Sequence, residues 1–201
     1  MESQTDGGPK AGLRERKKAR TRAEIQRQAL RLFRERGYEA TTVARIAEAA
    51  EVSESTFFRY FPTKEDVVLW DEFDPLIFEA FKAQPAESDP IRALRDAIRA
   101  VLARTSPTER EHLRERVGLL LSVPPLRAAL VDQLHGPMRL LAVAVAERTG
   151  RRPDEPAVRA LAGAMMGVGL SAMFAAVEHS DADIVSLVDE GLAQLEAGLP
   201  L

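Results

Sequence analysis

Residues 41–64, TTVARIAEAAEVSESTFFRYFPTK, decide the reading of this 201-residue chain. Val43, Ile46, Ala47 and Ala50 recur at i, i+3, i+4 and i+7, the spacing that lays apolar side chains along one face of an α-helix and turns Arg45 to the other. A second short helix follows a tight turn. Ser53 is its expected N-cap, a hydroxyl that accepts from an amide left unpaired in the first turn. Val52 just outside and Phe57 at the fourth helical position form a hydrophobic staple. At about 100° per residue, Phe57 and Phe61 point inward, Ser55, Thr56 and Arg59 point outward, and Phe58 and Tyr60 lie on the flanks.

These residues resemble the DNA-binding head of the TetR family of bacterial transcriptional repressors. The resemblance is carried by Thr42, Val43, Ile46, Ala47, Ala50, Val52, Ser53, Thr56, Phe57, Tyr60, Phe61, Lys64 and Glu65. Three positions depart from the family pattern. Glu51 stands where the turn usually has glycine, Ser55 replaces a glycine of the recognition helix, and Phe58 replaces a common tyrosine. A left-handed Glu51 would cost on the order of 1 kcal/mol. Phe58 loses a hydroxyl and offers an apolar edge suited to a thymine methyl.

The resemblance implies an all-α protein with a three-helix helix-turn-helix head over 13–63 and a larger ligand-binding and dimerisation domain over 64–201. It further implies a homodimer through the last two helices, bound to a palindromic double-stranded operator. Ser55, Thr56, Phe58 and Arg59 are then near base edges, with Arg59 the candidate for guanine. Thr42, Arg45, Ser53, Tyr60, Lys64 and a basic arm containing Arg20 and Arg22 are assigned to the DNA backbone. FFRYFPTKEDVV followed by DEFDP resembles the branch whose C-terminal domain takes acyl-CoA-like ligands. The implied effector is a small, largely apolar compound, an acyl-CoA or another, that releases the repressor from DNA.

Charge fits a divided chain. The net charge is -3, but residues 1–64 carry 14 Lys/Arg against 9 Asp/Glu, whereas 65–201 carry 14 against 22. A basic head on an acidic body places phosphate contact in the head alone. Residues 1–12, rich in glycine, are expected to be a disordered tail. Residues 13–22, LRERKKARTR, are dense enough in cations to neutralise phosphates; the plain alternative is a solvated helix extension. The first helix proper buries Ile25, Ala29, Leu32 and Phe33 and ends at a left-handed Gly37. Thr63 and Asp66 form a capping-box variant that starts a fourth helix at about Lys64.

Beyond it, helices are expected near 90–105, 108–122, 125–149, 154–179 and 182–198, about nine in all, with interruptions at Asp74-Pro75 and Gly136-Pro137. Residues 160–176, ALAGAMMGVGLSAMFAA, are small enough for close helix approach, although each glycine costs about 1 kcal/mol against alanine. Trp70, Phe73, Phe78, Phe81, Leu120, Met165, Met166, Met173 and Phe174 are candidates either for core or for a ligand cavity. No ligand-binding residue is selected by the sequence; Arg92, Arg95, Arg114, Arg116 and Arg127 are cations that an anionic ligand would use.

Catalysis is not expected. His112, His135 and His179 are far apart and outside any metal-ligand spacing, and P-loop, nucleophile-elbow and Rossmann signatures are missing. No metal and no cofactor are expected. The chain has no cysteine, which suits a reducing compartment. No run of about 18 uncharged apolar residues is expected, so the reading is a cytoplasmic protein without membrane contact. The alternative to an effector-controlled repressor is a DNA-binding regulator whose body recruits a protein and holds no small-molecule pocket.

Overall fold

The computed structural model of the protein describes residues 8–179 and 182–200. Among these there are eleven α-helices and no strand. They divide into two compact units, the first ending at Val68 and the second beginning at Leu69.

In the first unit, α1 (Gly8–Arg36) is one helix of 29 residues. The basic arm and the expected first helix are a single rod, and the tail expected to be disordered over 1–12 is helical from Gly8 onward; residues 1–7 lie outside the described residues. Arg, Lys, Glu, Gln and Ala dominate the rod, and these lose little side-chain freedom on entering a helix. Ile25, Ala29, Leu32 and Phe33 are buried as their spacing predicts, and Gly37 ends the helix with φ +83°. Three short helices follow, α2 (Val43–Ala49), α3 (Glu54–Tyr60) and α4 (Lys64–Leu69). The capping box at α4 forms as read: the Thr63 amide donates to Asp66 Oδ2 at 2.9 Å and the Asp66 amide to Thr63 Oγ1 at 3.1 Å. Val67 and Val68 are fully buried, and Gln26 Nε2 donates to the Val67 carbonyl at 2.8 Å. This packing joins most of α4 to the head, so the division falls beyond 63/64.

The second unit holds α5 (Phe73–Lys82), α6 (Pro90–Leu102), α7 (Pro107–Ser122), α8 (Pro124–Gln133), α9 (His135–Thr149), α10 (Pro156–Glu178) and α11 (Ile184–Glu196). The count exceeds the expected nine, and the breaks lie upstream of where the prolines suggested. Pro75 and Pro137 are each the third residue of a helix, while the interruptions are at residues 70–72 and at Leu134. A proline ring clashes with the carbonyl four residues back, here Asp71 and Gln133, yet is tolerated in a first turn. The chain therefore breaks one turn before each proline.

Helix α6 packs on α5 and α11, and α10 packs on α9 and α11. Phe81, Ala93, Ala97, Val145, Val158, Ala162, Met165 and Leu192 form the core they share. Arg148 of α9 fastens the end of α5, donating to the Phe81 carbonyl at 2.8 Å and the Gln84 carbonyl at 3.2 Å. Between α6 and α11, Arg95 holds Asp189 with two hydrogen bonds of 2.8 and 3.0 Å. Arg99 reaches the same carboxylate at 2.8 Å, and Arg92 pairs with Glu196 at 2.9 Å. Arg92 and Arg95 are thus occupied within the body.

Helix α10 corrects one expectation: by length and composition it is apolar enough to cross a membrane, because residues 160–177 contain no charged side chain. Nor is it buried all round within one chain. Ala160, Ala164, Gly167, Ser171, Phe174 and Val177 are exposed along one side, and a Cβ added to Gly163, Gly167 or Gly169 would meet nothing within 4 Å. Gly191 is different, since its Cβ would lie 2.6 Å from a Val168 methyl. There α10 and α11 approach closely enough to require glycine.

Candidate nucleic-acid interface

Both helices of the 41–64 run are capped by side chains, α3 by Ser53 as expected and α2 by Thr42. Thr42 Oγ1 accepts from the Arg45 amide at 3.3 Å, and Ser53 Oγ accepts from the Thr56 amide at 3.1 Å. The Ser53 hydroxyl also lies 2.9 Å from that of Ser55 and donates to Thr56 Oγ1 at 3.0 Å. Three hydroxyls therefore cluster at the start of α3. Phe57 and Phe61 are fully buried beneath them, with ring centres 6.0 Å apart. Phe58 meets Phe57 edge-on and leaves 48% of its surface exposed. Ser55 and Arg59 face solvent, Thr56 and Tyr60 are half-buried, and the Arg59 guanidinium lies 5.5 Å from the Tyr60 ring centre. The outward face of α3 thus mixes hydroxyls, one aromatic edge and one cation, groups able to read bases in a major groove.

The turn between α2 and α3 carries the strain its sequence implied, for Glu51 has φ +53°. Replacing Glu51 by Gly should stabilise the head by about 0.5–1 kcal/mol, the left-handed penalty less the added freedom of the unfolded chain. Urea unfolding of the head measures this directly; a destabilised variant would mean that the Glu51 side chain stabilises the turn.

The remaining site residues fall into two groups. Arg14, Arg16, Lys17, Lys18 and Arg20 are exposed along α1, and Arg45 is exposed on α2, with one Nη donating to the Ala40 carbonyl at 3.2 Å. Arg22 and Lys64 instead turn inward. The Arg22 guanidinium sits over the Phe61 ring, 5.1 Å from its centre, and burial holds it below its ordinary pKa. Lys64 Nζ donates to the Tyr38 and Thr41 carbonyls at 2.9 and 3.3 Å and lies 4.0 Å from the Tyr38 ring centre. Next to it, Glu65 accepts from the Tyr38 hydroxyl at 2.8 Å; burial and this carboxylate together push the phenol's pKa up. Residues 64 and 65 thereby pin the α1–α2 turn, a role that no local pattern announces. For Arg22 a signal existed, since it lies three residues before Ile25 and seven before Ala29, on the buried stripe of α1.

In the second unit, α7, the end of α10 and the start of α11 enclose a cavity of about 330 Å³. Leu113, Val117, Val177 and Ile184 supply apolar walls, and its polar lining balances Arg110 and Arg114 against Glu111 and Asp183; Arg114 pairs with Glu111 at 2.8 Å and Arg110 donates to the Thr105 carbonyl at 3.2 Å. Among the described residues, the aromatic and methionine side chains suggested by the sequence do not line it. Phe81, Leu120 and Met165 are fully committed to the core.

Residues 25–69 match the family described as bacterial regulatory proteins, tetR family, and residues 88–200 match the MftR C-terminal domain. The chain is 31% identical to the regulator MftR of Mycobacterium tuberculosis over 160 residues, 78% of this chain and 80% of that one. It is 47% identical over 109 residues to the HTH-type transcriptional regulator TcmR of Streptomyces glaucescens, a match spanning 53% of this chain and about half, 47%, of TcmR. Among solved structures it is similar to Thermus thermophilus FadR, a TetR-family repressor in complex with lauroyl-CoA. That likeness has 27% identity and a TM-score of 0.55, covering 90% of this chain and 95% of that one. FadR from Bacillus halodurans shares the fold at 23% identity, with a TM-score of 0.58 and coverage of 97% and 98%.

Proposed function

Because this chain belongs to the TetR family of transcriptional regulators, we propose that it is an effector-controlled repressor that binds a palindromic operator as a homodimer. The reading rests on the exposed face of α3, where Ser55, Phe58 and Arg59 stand out from a helix braced by Phe57 and Phe61. Thr56 lies near the base edges with them; Thr42, Arg45, Ser53, Tyr60 and the cations along α1 as far as Arg20 lie along the DNA backbone, while Arg22 and Lys64 hold the head in shape from within. A second copy covers the exposed side of α10, where alanine and glycine let two helices approach closely. The protein works in the cytoplasm, and that side of α10 meets its partner rather than lipid.

The effector is a small, largely apolar molecule. An acyl-CoA is the leading class, supported by the FadR likeness and by a cavity with aliphatic walls. Such a ligand releases DNA only to the extent that it binds the released state more tightly than the DNA-bound state. A thermal-shift screen of acyl-CoAs, fatty acids and hydrophobic drugs tests this. A ligand at a hundred times its Kd stabilises by about 2.7 kcal/mol; silence across all classes would favour a body that recruits a protein.

Replacing Arg59 by Ala should relax preference at one operator position, removing about 1–3 kcal/mol of discrimination there. Competition among operators substituted base by base measures the loss. A uniform weakening on every sequence would instead assign Arg59 to the DNA backbone.

A further inference from the structure

Arg116 stands apart from the other arginines. It is the one charged side chain buried among the described residues, with 8% of its surface exposed. Its Nη2 donates to Asp71 Oδ2, and its Nη1 reaches the Trp70 carbonyl at 3.5 Å. The other oxygen of Asp71 accepts from the amide of Phe73 at 2.8 Å, the first residue of α5. One guanidinium on α7 therefore holds the non-helical step at residues 70–72, and the carboxylate it holds also starts the next helix. This step lies directly after the point where the chain passes from the first unit to the second.

A guanidinium keeps its charge at any physiological pH, so it stays a cation among the carboxylates of Asp71, Glu72 and Asp74. It holds Asp71 by a hydrogen bond, and opening that bond removes a tether from residues 70–72 while leaving a nearly buried charge less well paired. The same helix presents Leu113, Arg114 and Val117 to the cavity, so clasp and cavity share one rigid element.

We propose that Arg116 and Asp71 form a clasp that orders residues 70–72 at the start of the second unit, and that DNA affinity depends on its being closed. Arg116 is a positioning residue here, acting through the backbone of residues 70–72. The inference rests on the proposed DNA-binding function, and its test separates the two.

The experiment compares full-length wild type with Arg116→Gln, Asp71→Asn, the double variant and Arg116→Lys. Amide hydrogen exchange is followed at residues 70–73, alongside affinity for a duplex that the wild type selects from a random pool. Each uncharged single variant should speed exchange at 70–73 at least tenfold while α2 and α3 keep their protection, and should weaken DNA binding at least fivefold. The double variant should be no weaker than the weaker single, and Arg116→Lys should fall between wild type and Arg116→Gln. Unchanged exchange in both singles would show that no clasp exists. Faster exchange with affinity within twofold of wild type, or losses that add in the double variant, would equally overturn the proposal. Asp71→Asn, which keeps size and an acceptor oxygen, carries the test should Arg116→Gln unfold the body. A wild type that selects no duplex fails the proposed function instead, and the exchange result then decides whether the clasp exists.

Discussion

Replacing Phe57 by Ala is expected to unfold the head and leave the body folded. Phe57 is fully buried, packs against the rings of Phe58 and Phe61, and sits at the fourth position of α3, where it fixes the recognition helix to the rest of the head. Truncating a buried phenylalanine costs about 3–5 kcal/mol. A unit of this size has a total stability of only about 5 kcal/mol. Because the two units are compact on their own, the loss should appear as two separated transitions by calorimetry, the lower one falling to or below room temperature, with DNA binding abolished. A single transition shifted as a whole would mean that head and body fold as one, and retained DNA binding would mean that α3 is not the reading element.

The second large effect concerns the body and pH. The hydrogen bonds from Arg95, with help from Arg99, hold the Asp189 carboxyl at a pKa of about 2. A carboxylate whose pKa is lowered by folding stabilises the folded state above its unfolded value, near 4, and loses that contribution as pH falls through its folded value. Asp189 and Arg95 are each only about one-fifth exposed, 21% and 22%, so solvent screens this pair less than a surface one. Replacing Asp189 by Asn should therefore destabilise the body by about 1–3 kcal/mol at pH 7. The gap from wild type should narrow between about pH 4 and pH 2. Urea unfolding across that range reads both results. A gap that stays constant down to pH 2 would assign the loss to packing rather than to charge.

The legible parts of this protein are those in which neighbours in sequence are also neighbours in space. Ser53 and the Thr63–Asp66 box bond within their own first turns, Gly37 takes the backbone angle that only glycine adopts cheaply, and Phe57 and Phe61 obey a one-turn repeat. The proline positions were legible as interruptions but not as places, because a proline acts on the carbonyl four residues behind it. Lys64, Arg116 and Arg148 were not legible at all as to role. Each is a cation whose partners are carbonyls or a carboxylate brought to it from a distant part of the chain, and nothing in the local pattern distinguishes it from a solvated arginine or lysine. The 160–176 run was legible as a helix of small residues made for close approach, and its packing on α11 at Gly191 is such an approach; what covers its exposed side was legible only through the family resemblance, as the dimer interface proposed above.

The most direct test of the account is selection of duplex DNA from a random-sequence pool by the purified full-length protein, at modest ionic strength and with random competitor. The expected result is enrichment of a palindrome whose half-sites are separated by roughly 34 Å or a multiple of it, bound by two copies of the chain. A protein that remains a monomer and enriches no sequence over competitor would contradict it.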